Sequence, residues 1–170
     1  MSAKASHTQA TALKRRMKMI LHDLQYDFSQ FTLTGFIEWL EHIEQREFYC
    51  RPASLPHGVF GAWVTGDREE YILFDENGAA LHQTHNILHE ICHWLLGHTT
   101  FSLSAEDGSY TATPPASEVG LMIRTPEQEL EAETLSSLIV NEVQRHRRRK
   151  LTVRESRGLY SFFKALDDKP

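Results

Sequence analysis

Residues 81–97 read LHQTHNILHEICHWLLG, and the fold turns on that stretch. Its apolar residues recur at helical spacing from 81 to 96, and Gly97 stands where a helix-terminating glycine is expected. Inside this helix His89-Glu90-Ile91-Cys92-His93 has the form H-E-x-x-H. Residues four apart share one helical face, so the imidazoles of His89 and His93 can converge on one ion. Glu90 projects beside them, within reach of a water on that ion rather than of the ion itself. Two such histidines suit Zn²⁺, and a catalytic zinc needs one more protein ligand and an open position. Five of the chain's ten histidines fall between 82 and 98. Such enrichment makes the motif cheap by chance, so its weight comes from the helical phase and from what surrounds it.

Upstream, the runs 48–50, 59–64 and 71–74 are β-rich and separated by turn chemistry, including Pro56-His57-Gly58 and Gly66-Asp67. They predict a small antiparallel sheet. Before them, Leu13, Met17, Ile20, Leu21 and Leu24 mark an amphipathic helix over 13–24, with Lys14, Arg15, Arg16 and Lys18 around its outside. A second helix over 36–45 presents Phe36, Ile37, Leu40 and Ile43. Downstream, 99–125 is rich in Ser, Thr, Ala, Gly and Pro without a period; a connection this long is expected to be functional, for instance a lid, or disordered. Thr125-Pro126-Glu127-Gln128 then opens a helix with a Thr cap, proline at the first helical position and Gln three residues after the cap. It is expected to run to about 145. Thr152 with Glu155 predicts a separate last helix carrying Leu159, Phe162, Phe163 and Leu166. The whole reads as one α+β domain over 1–170, its sheet packed on the H-E-x-x-H helix and flanked by helices.

With 18 basic and 23 acidic residues the net charge is −5, which argues against nucleic-acid binding by bulk charge. The basic run 145–150 is read first as a charged helix end that suits the helix dipole, and otherwise as a dock for an acidic partner or a DNA-bound repressor. Two cysteines, Cys50 and Cys92, cannot staple a secreted scaffold. No apolar run approaches the ~18 residues of a membrane span, and the basic N-terminus has no apolar segment of a signal peptide behind it. The expectation is a cytoplasmic protein without a membrane role.

Three sources compete for the third ligand. A metzincin-like continuation needs Gly at 96 and His at 99, where this chain has Leu96 and Thr99. A deformylase-like site would take Cys50, which lacks the expected Glu-Gly lead. The acidic helix after Pro126 is the best source. On it Glu129, Ala132, Glu133, Ser136 and Val140 share a face whose small residues let the motif helix come close. Glu129 is the first choice of ligand, with Glu131 and Glu133 as alternatives; with Glu129 as ligand, Glu133, one turn on, is a candidate acceptor for a ligand histidine's free N–H. Glu127 and Glu131 are assigned to a solvated acidic first turn. His82 and His85, near the motif's face, are read first as ordinary core or surface histidines and otherwise as groups that touch a ligand or the substrate; His98 is read as a helix-end residue and Cys92 as packing. The oxyanion donor stays open among Tyr110, Arg124, Arg145 and His146.

At this point the residues resemble a family. Gly61-Ala62-Trp63-Val64, Tyr71-Ile72-Leu73-Phe74, His82-Gln83-x-His85, the H-E-x-x-H with Leu96-Gly97-His98, and Glu129-Leu130-Glu131-Ala132-Glu133 together look like the ImmA/IrrE metallopeptidases, over roughly 45–145. The family often has Gly at the position of Cys92 and Asn or Asp at that of Glu133. The resemblance implies a zincin-like fold, one catalytic Zn²⁺ on His89, His93 and Glu129, and Glu90 as the acid/base. It also implies a substrate class: a helix-turn-helix repressor of phage, mobile-element, stress or defence genes. The strand 71–74 is a possible edge for an extended substrate. The rival from another class is a non-catalytic regulator that binds a repressor or DNA.

Overall fold

The computed structural model describes residues 2–55, 57–98, 101–102 and 124–167, with side chains described over 8–55, 57–98 and 124–150. Helix α1 (Ser2–Asp23) leads through a short 3-10 turn (Phe28–Gln30) to α2 (Leu33–Glu44). Strands β1 (Glu47–Ala53), β2 (Gly61–Thr65) and β3 (Glu69–Asp75) follow, then α3 (Ala80–Leu95), the two-residue strand β4 (Phe101–Ser102) and α4 (Pro126–Asp167). The fold is α+β. No helix of the described residues is long and apolar enough to cross a membrane.

The helix boundaries follow local chemistry. Thr32 caps α2 by accepting from the Gly35 N–H at 3.0 Å. At α4 the Thr125 N–H donates to Gln128 Oε1 and the Gln128 N–H donates back to Thr125 Oγ1, the reciprocal box its sequence predicts. Gly97, at φ +64°, ends α3 in the left-handed conformation; its N–H donates to the Trp94 carbonyl and that of His98 to the His93 carbonyl. The expected break near 145 does not occur. α4 continues to Asp167 as one helix, because 145–150 is made of residues that tolerate a helix interior and neither glycine nor proline interrupts 127–157. Thr152 and Glu155 therefore lie within a helix rather than opening one.

The sheet is mixed, not antiparallel, in the order β1-β3-β2-β4. β3 lies between β1, to which it is parallel, and β2, to which it is antiparallel; β4 adds a short parallel pairing to β2. The strand 71–74 is therefore central and cannot serve as an edge for a substrate. The reason is visible in burial: Glu70, Tyr71, Ile72 and Leu73 are all buried, as a strand flanked on both sides requires. β1 carries Pro52, which has no N–H to give a second neighbour and suits an outer position.

One face of this sheet, with Phe48, Trp63 and Ile72, packs on Ile87, Leu88, Ile91 and Cys92 of α3. The core continues through Leu135, Ile139 and Val143 of α4 to Met17 of α1 and Phe36 and Leu40 of α2. Tyr26, Phe28, Phe36 and Trp39 close that end with edge-on and stacked rings 4.9–6.1 Å apart. The opposite sheet face holds only a small cluster, Ala53, Ala62 and Leu73.

Glu70 is the charged group most deeply placed in the sheet. The Trp63 Nε1–H donates to its Oε2 at 2.6 Å, Thr65 Oγ1 lies 3.2 Å from Oε1, and Arg46 Nε approaches Oε1 to 2.5 Å. The Arg46 Nε–H is not aligned for a hydrogen bond, so this last contact is one of charge. Removing a single partner of a buried pair strands the other. Arg46→Ala is expected to cost about 3–5 kcal/mol in urea denaturation; a loss of about 0–1 kcal/mol, typical of exposed pairs, would contradict this role.

Candidate metal centre

α3 and α4 pack side by side, and the small residues of α4 decide how closely. Ala132 and Ser136 are fully buried, alongside Leu135 and Ile139. Val140, expected on the same face, is instead 37% exposed, because a straight helix carries position 140 away from the contact. The approach brings His89, His93 and Glu129 together, with one donor atom of each within 4.8 Å of the others. The His89 and His93 Nε2 atoms are 3.0 Å apart, His89 Nε2 lies 3.2 Å from Glu129 Oε2, and His93 Nε2 lies 3.6 Å from Glu129 Oε1.

These separations test the group against zinc. Four ligands at about 2.0–2.1 Å around a tetrahedral ion stand about 3.3 Å from one another. The triangle matches that spacing, and its donors are the imidazole and carboxylate types that zinc takes. A metal can be held here by His89, His93 and Glu129. Burial is graded across it: His93 is fully enclosed, His89 half-buried and Glu129 open to solvent. The His93 pKa is pushed down to about 2 by burial, with Arg124, His89 and His98 adding to the shift, so this imidazole is neutral and has a lone pair to offer.

Glu90 lies beside the ligands, buried, its carboxylate directed to a second partner. Arg124 donates to Glu90 Oε2 at 2.8 Å, both side chains being almost wholly buried. Arg124 also comes within 4.0 Å of Glu129. Of the three described candidates for oxyanion donor, Arg124, Arg145 and His146, Arg124 alone is placed at the centre, and it is engaged by Glu90. Arg145 and His146 pair with Glu142, and Arg145 lines a separate groove with Lys14 and Tyr26. Tyr110 and most of the expected lid, 99–100 and 103–123, lie outside the described residues.

The closeness of Glu90 to the sheet depends on Gly61 in β2. A Cβ at 61 would stand 3.0 Å from both Cγ and Oε1 of Glu90. The run 58–61 forms one wall of a cavity of about 390 Å³, with Asn86, His89, Glu90, Arg124 and Glu129 around the rest. Gly61 carries no chemistry, and no motif spacing pointed to this role.

Glu133 sits near its expected position. Its Oε2 is 3.6 Å from His89 Nδ1, longer than a hydrogen bond, and 3.4 Å from His85 Nε2. His85 thus belongs to the rim of the site, while His82 is exposed. Glu131 and His98 correct the sequence reading. Glu131 is not a solvated first-turn acid: it meets His98 at 3.1 Å and Arg16 of α1 at 2.5 Å. His98 is buried and its Nδ1 lies 2.8 Å from His93 Nδ1. The spacing of 93 to 98 across a glycine hinted at the second contact, whereas Arg16 is 115 residues from Glu131 and left no local signal. Cys92 is fully buried packing, and burial pushes its thiol pKa well up. Cys50 lies in β1, away from the centre, with its thiol pushed up to about 11 by burial and by Glu41.

No family model, curated protein or solved structure matches this chain.

Two outcomes follow from this geometry. Gly61→Ala must displace a Glu90 that Arg124 holds in place, so it is expected to destabilise the metal-free protein by about 1–3 kcal/mol in thermal denaturation; an unchanged Tm would show that Glu90 yields freely. The second concerns acid. His93 binds its proton more weakly folded than unfolded, its pKa falling from 6.5 to about 2. The unfolded chain therefore takes up the extra proton, and stability falls as pH drops below the ordinary histidine value. Urea midpoints measured from neutral into acid should show a shallower fall in His93→Gln than in wild type.

Proposed function

We propose that this chain is a zinc-dependent endopeptidase with a zincin-like active site, held by His89, His93 and Glu129 and served by Glu90. The observation that carries this reading is the convergence of two α3 imidazoles and one α4 carboxylate at tetrahedral spacing, with a buried fourth group, Glu90, beside them. When bound, zinc supplies the positive charge that acidifies a water and polarises a peptide carbonyl. Glu90 takes the proton of the attacking water and passes it to the leaving amine nitrogen. Arg124 fixes the rotamer of that carboxylate through the 2.8 Å contact, and Gly61 leaves room for it. The cavity beside Glu90, walled by 58–61 and Asn86, receives the chain to be cut.

The resemblance to the ImmA/IrrE metallopeptidases supports a substrate class. In this reading the chain acts in the cytoplasm on a helix-turn-helix repressor and thereby controls phage, mobile-element, stress or defence genes. One contact favours a different reading. Because a guanidinium already occupies one oxygen of Glu90, the chain could act as a non-catalytic module whose metal is structural and whose work is to bind a repressor.

One set of variants separates these. Glu90→Gln should retain wild-type metal content while cleavage of the repressor falls by a factor of about 10²–10⁴. His93→Ala and Glu129→Ala should lose the metal as measured by elemental analysis. Full cleavage by Glu90→Gln discards the mechanism, and a repressor effect unchanged by that variant favours the binding module. Undiminished metal in His93→Ala discards the centre.

A further inference from the structure

His98 enters none of the steps above, yet it is one of the few polar side chains buried among the described residues. Its position comes from the end of α3. Gly97 turns the chain in the left-handed conformation, and the His98 N–H donates to the His93 carbonyl at 3.1 Å. This turn lays the His98 ring against the His93 ring, with centroids 4.9 Å apart and planes at 63°. The two Nδ1 atoms are 2.8 Å apart. The far nitrogen of His98, Nε2, is 3.1 Å from Glu131 Oε2, and Arg16 meets the other oxygen of that carboxylate.

The direction of hydrogen bonding along this chain of groups is determined by their chemistry. An ionised carboxylate only accepts, so His98 Nε2 carries the hydrogen that points at Glu131. A neutral imidazole has one N–H, so His98 Nδ1 is then a lone pair and can only accept. The hydrogen in the 2.8 Å contact must therefore sit on His93 Nδ1. That leaves His93 Nε2 as a lone pair, and Nε2 is the atom that faces His89 and Glu129. Were the hydrogens reversed, His93 would present an N–H to the ligand triangle and could hold no cation.

We propose that His98 and Glu131, steadied by Arg16, form a relay that sets the tautomer of His93 and aims its Nε2 lone pair into the metal centre. They are positioning residues: neither touches the ligand triangle except through His93. The relay also ties α1 to the centre, since Arg16 belongs to α1 and Glu131 to α4. Arg16 is more than half exposed, so its share is small. The inference rests on the metal centre proposed above and adds the groups that orient its most deeply buried ligand.

Two measurements on the full-length protein test it. In the metal-free wild type, ¹⁵N–¹H correlation spectra of the histidine rings should show His93 with hydrogen on Nδ1 and His98 with hydrogen on Nε2. The opposite tautomer of His93 overturns the proposal. Zinc affinity by chelator competition is the second readout. His98→Phe keeps the ring volume and removes the acceptor, and should weaken zinc binding about 10–100-fold. His98→Gln offers its side-chain carbonyl to the His93 Nδ1–H and should recover most of that loss. A bulk packing role predicts the reverse order, with Phe tolerated better than Gln, and that result overturns the relay, as does wild-type affinity in His98→Phe. If His98→Phe does not fold, the wild-type spectra and the His98→Gln affinity still decide. If the wild type binds no zinc, the metal reading fails, whereas the tautomers in the metal-free protein judge the relay by themselves.

Discussion

The close approach of α3 and α4 is the constraint on which the rest of the molecule depends. It is set by two small side chains, Ala132 and Ser136, both wholly buried on α4. A larger residue at either position has no room in this contact and would strain the packing that holds the ligand triangle. Everything α4 brings to α3 arrives through that contact: Glu129 to the two imidazoles, Glu131 to His98 and Glu133 to the rim histidine. Farther along, Ile139 and Val143 extend the same apolar stripe within the core shared with α1. One stripe of α4 therefore secures both the core and the site, and packing density, rather than any single polar bond, sets the registry of the charged groups.

β2 shows the same economy on the sheet side. Its first residue, Gly61, leaves the space that Glu90 fills, and two residues later Trp63 donates to the buried Glu70. Two carboxylates thus flank one short strand, each matched to an arginine: Glu90 to Arg124 and Glu70 to Arg46. Burying an acid is tolerable only with such partners. One pair anchors the sheet and the other holds the group that would move protons.

Local chemistry was legible in the sequence, and long-range geometry was not. The H-E-x-x-H phase, the Thr125–Gln128 box and Gly97 as a terminator all depend on spacings within one helix or its ends, and Glu129 stood out by the face it shares with the small residues Ala132 and Ser136. Strand order depends on partners that spacing does not encode, which is why a parallel β1–β3 pairing stood where an antiparallel sheet was expected. Pro52 was the sequence signal for an outer strand, whereas the burial of 70–73, which includes the charged Glu70, is visible only in the fold. Glu131 went astray for a related reason. Its place in the acidic run that opens α4 suggested solvent, whereas tertiary packing places α1 and the end of α3 over it. Between Pro126 and Gly158 the sequence has neither glycine nor proline, and that uninterrupted run outweighs a Thr–Glu spacing in deciding where the helix ends.

Both ends of the connection between α3 and α4 are fastened to the site itself. His98 closes one end against His93 and Glu131, and Arg124 closes the other against Glu90. The anchors at 98 and 124 hold His93 and Glu90 through contacts made outside 99–123. Each doubling of a closed loop costs only about 0.6 kcal/mol in chain entropy. The chemical frame thus carries its own anchors at 98 and 124, and a change in the length of the connection bears on loop entropy rather than on those contacts.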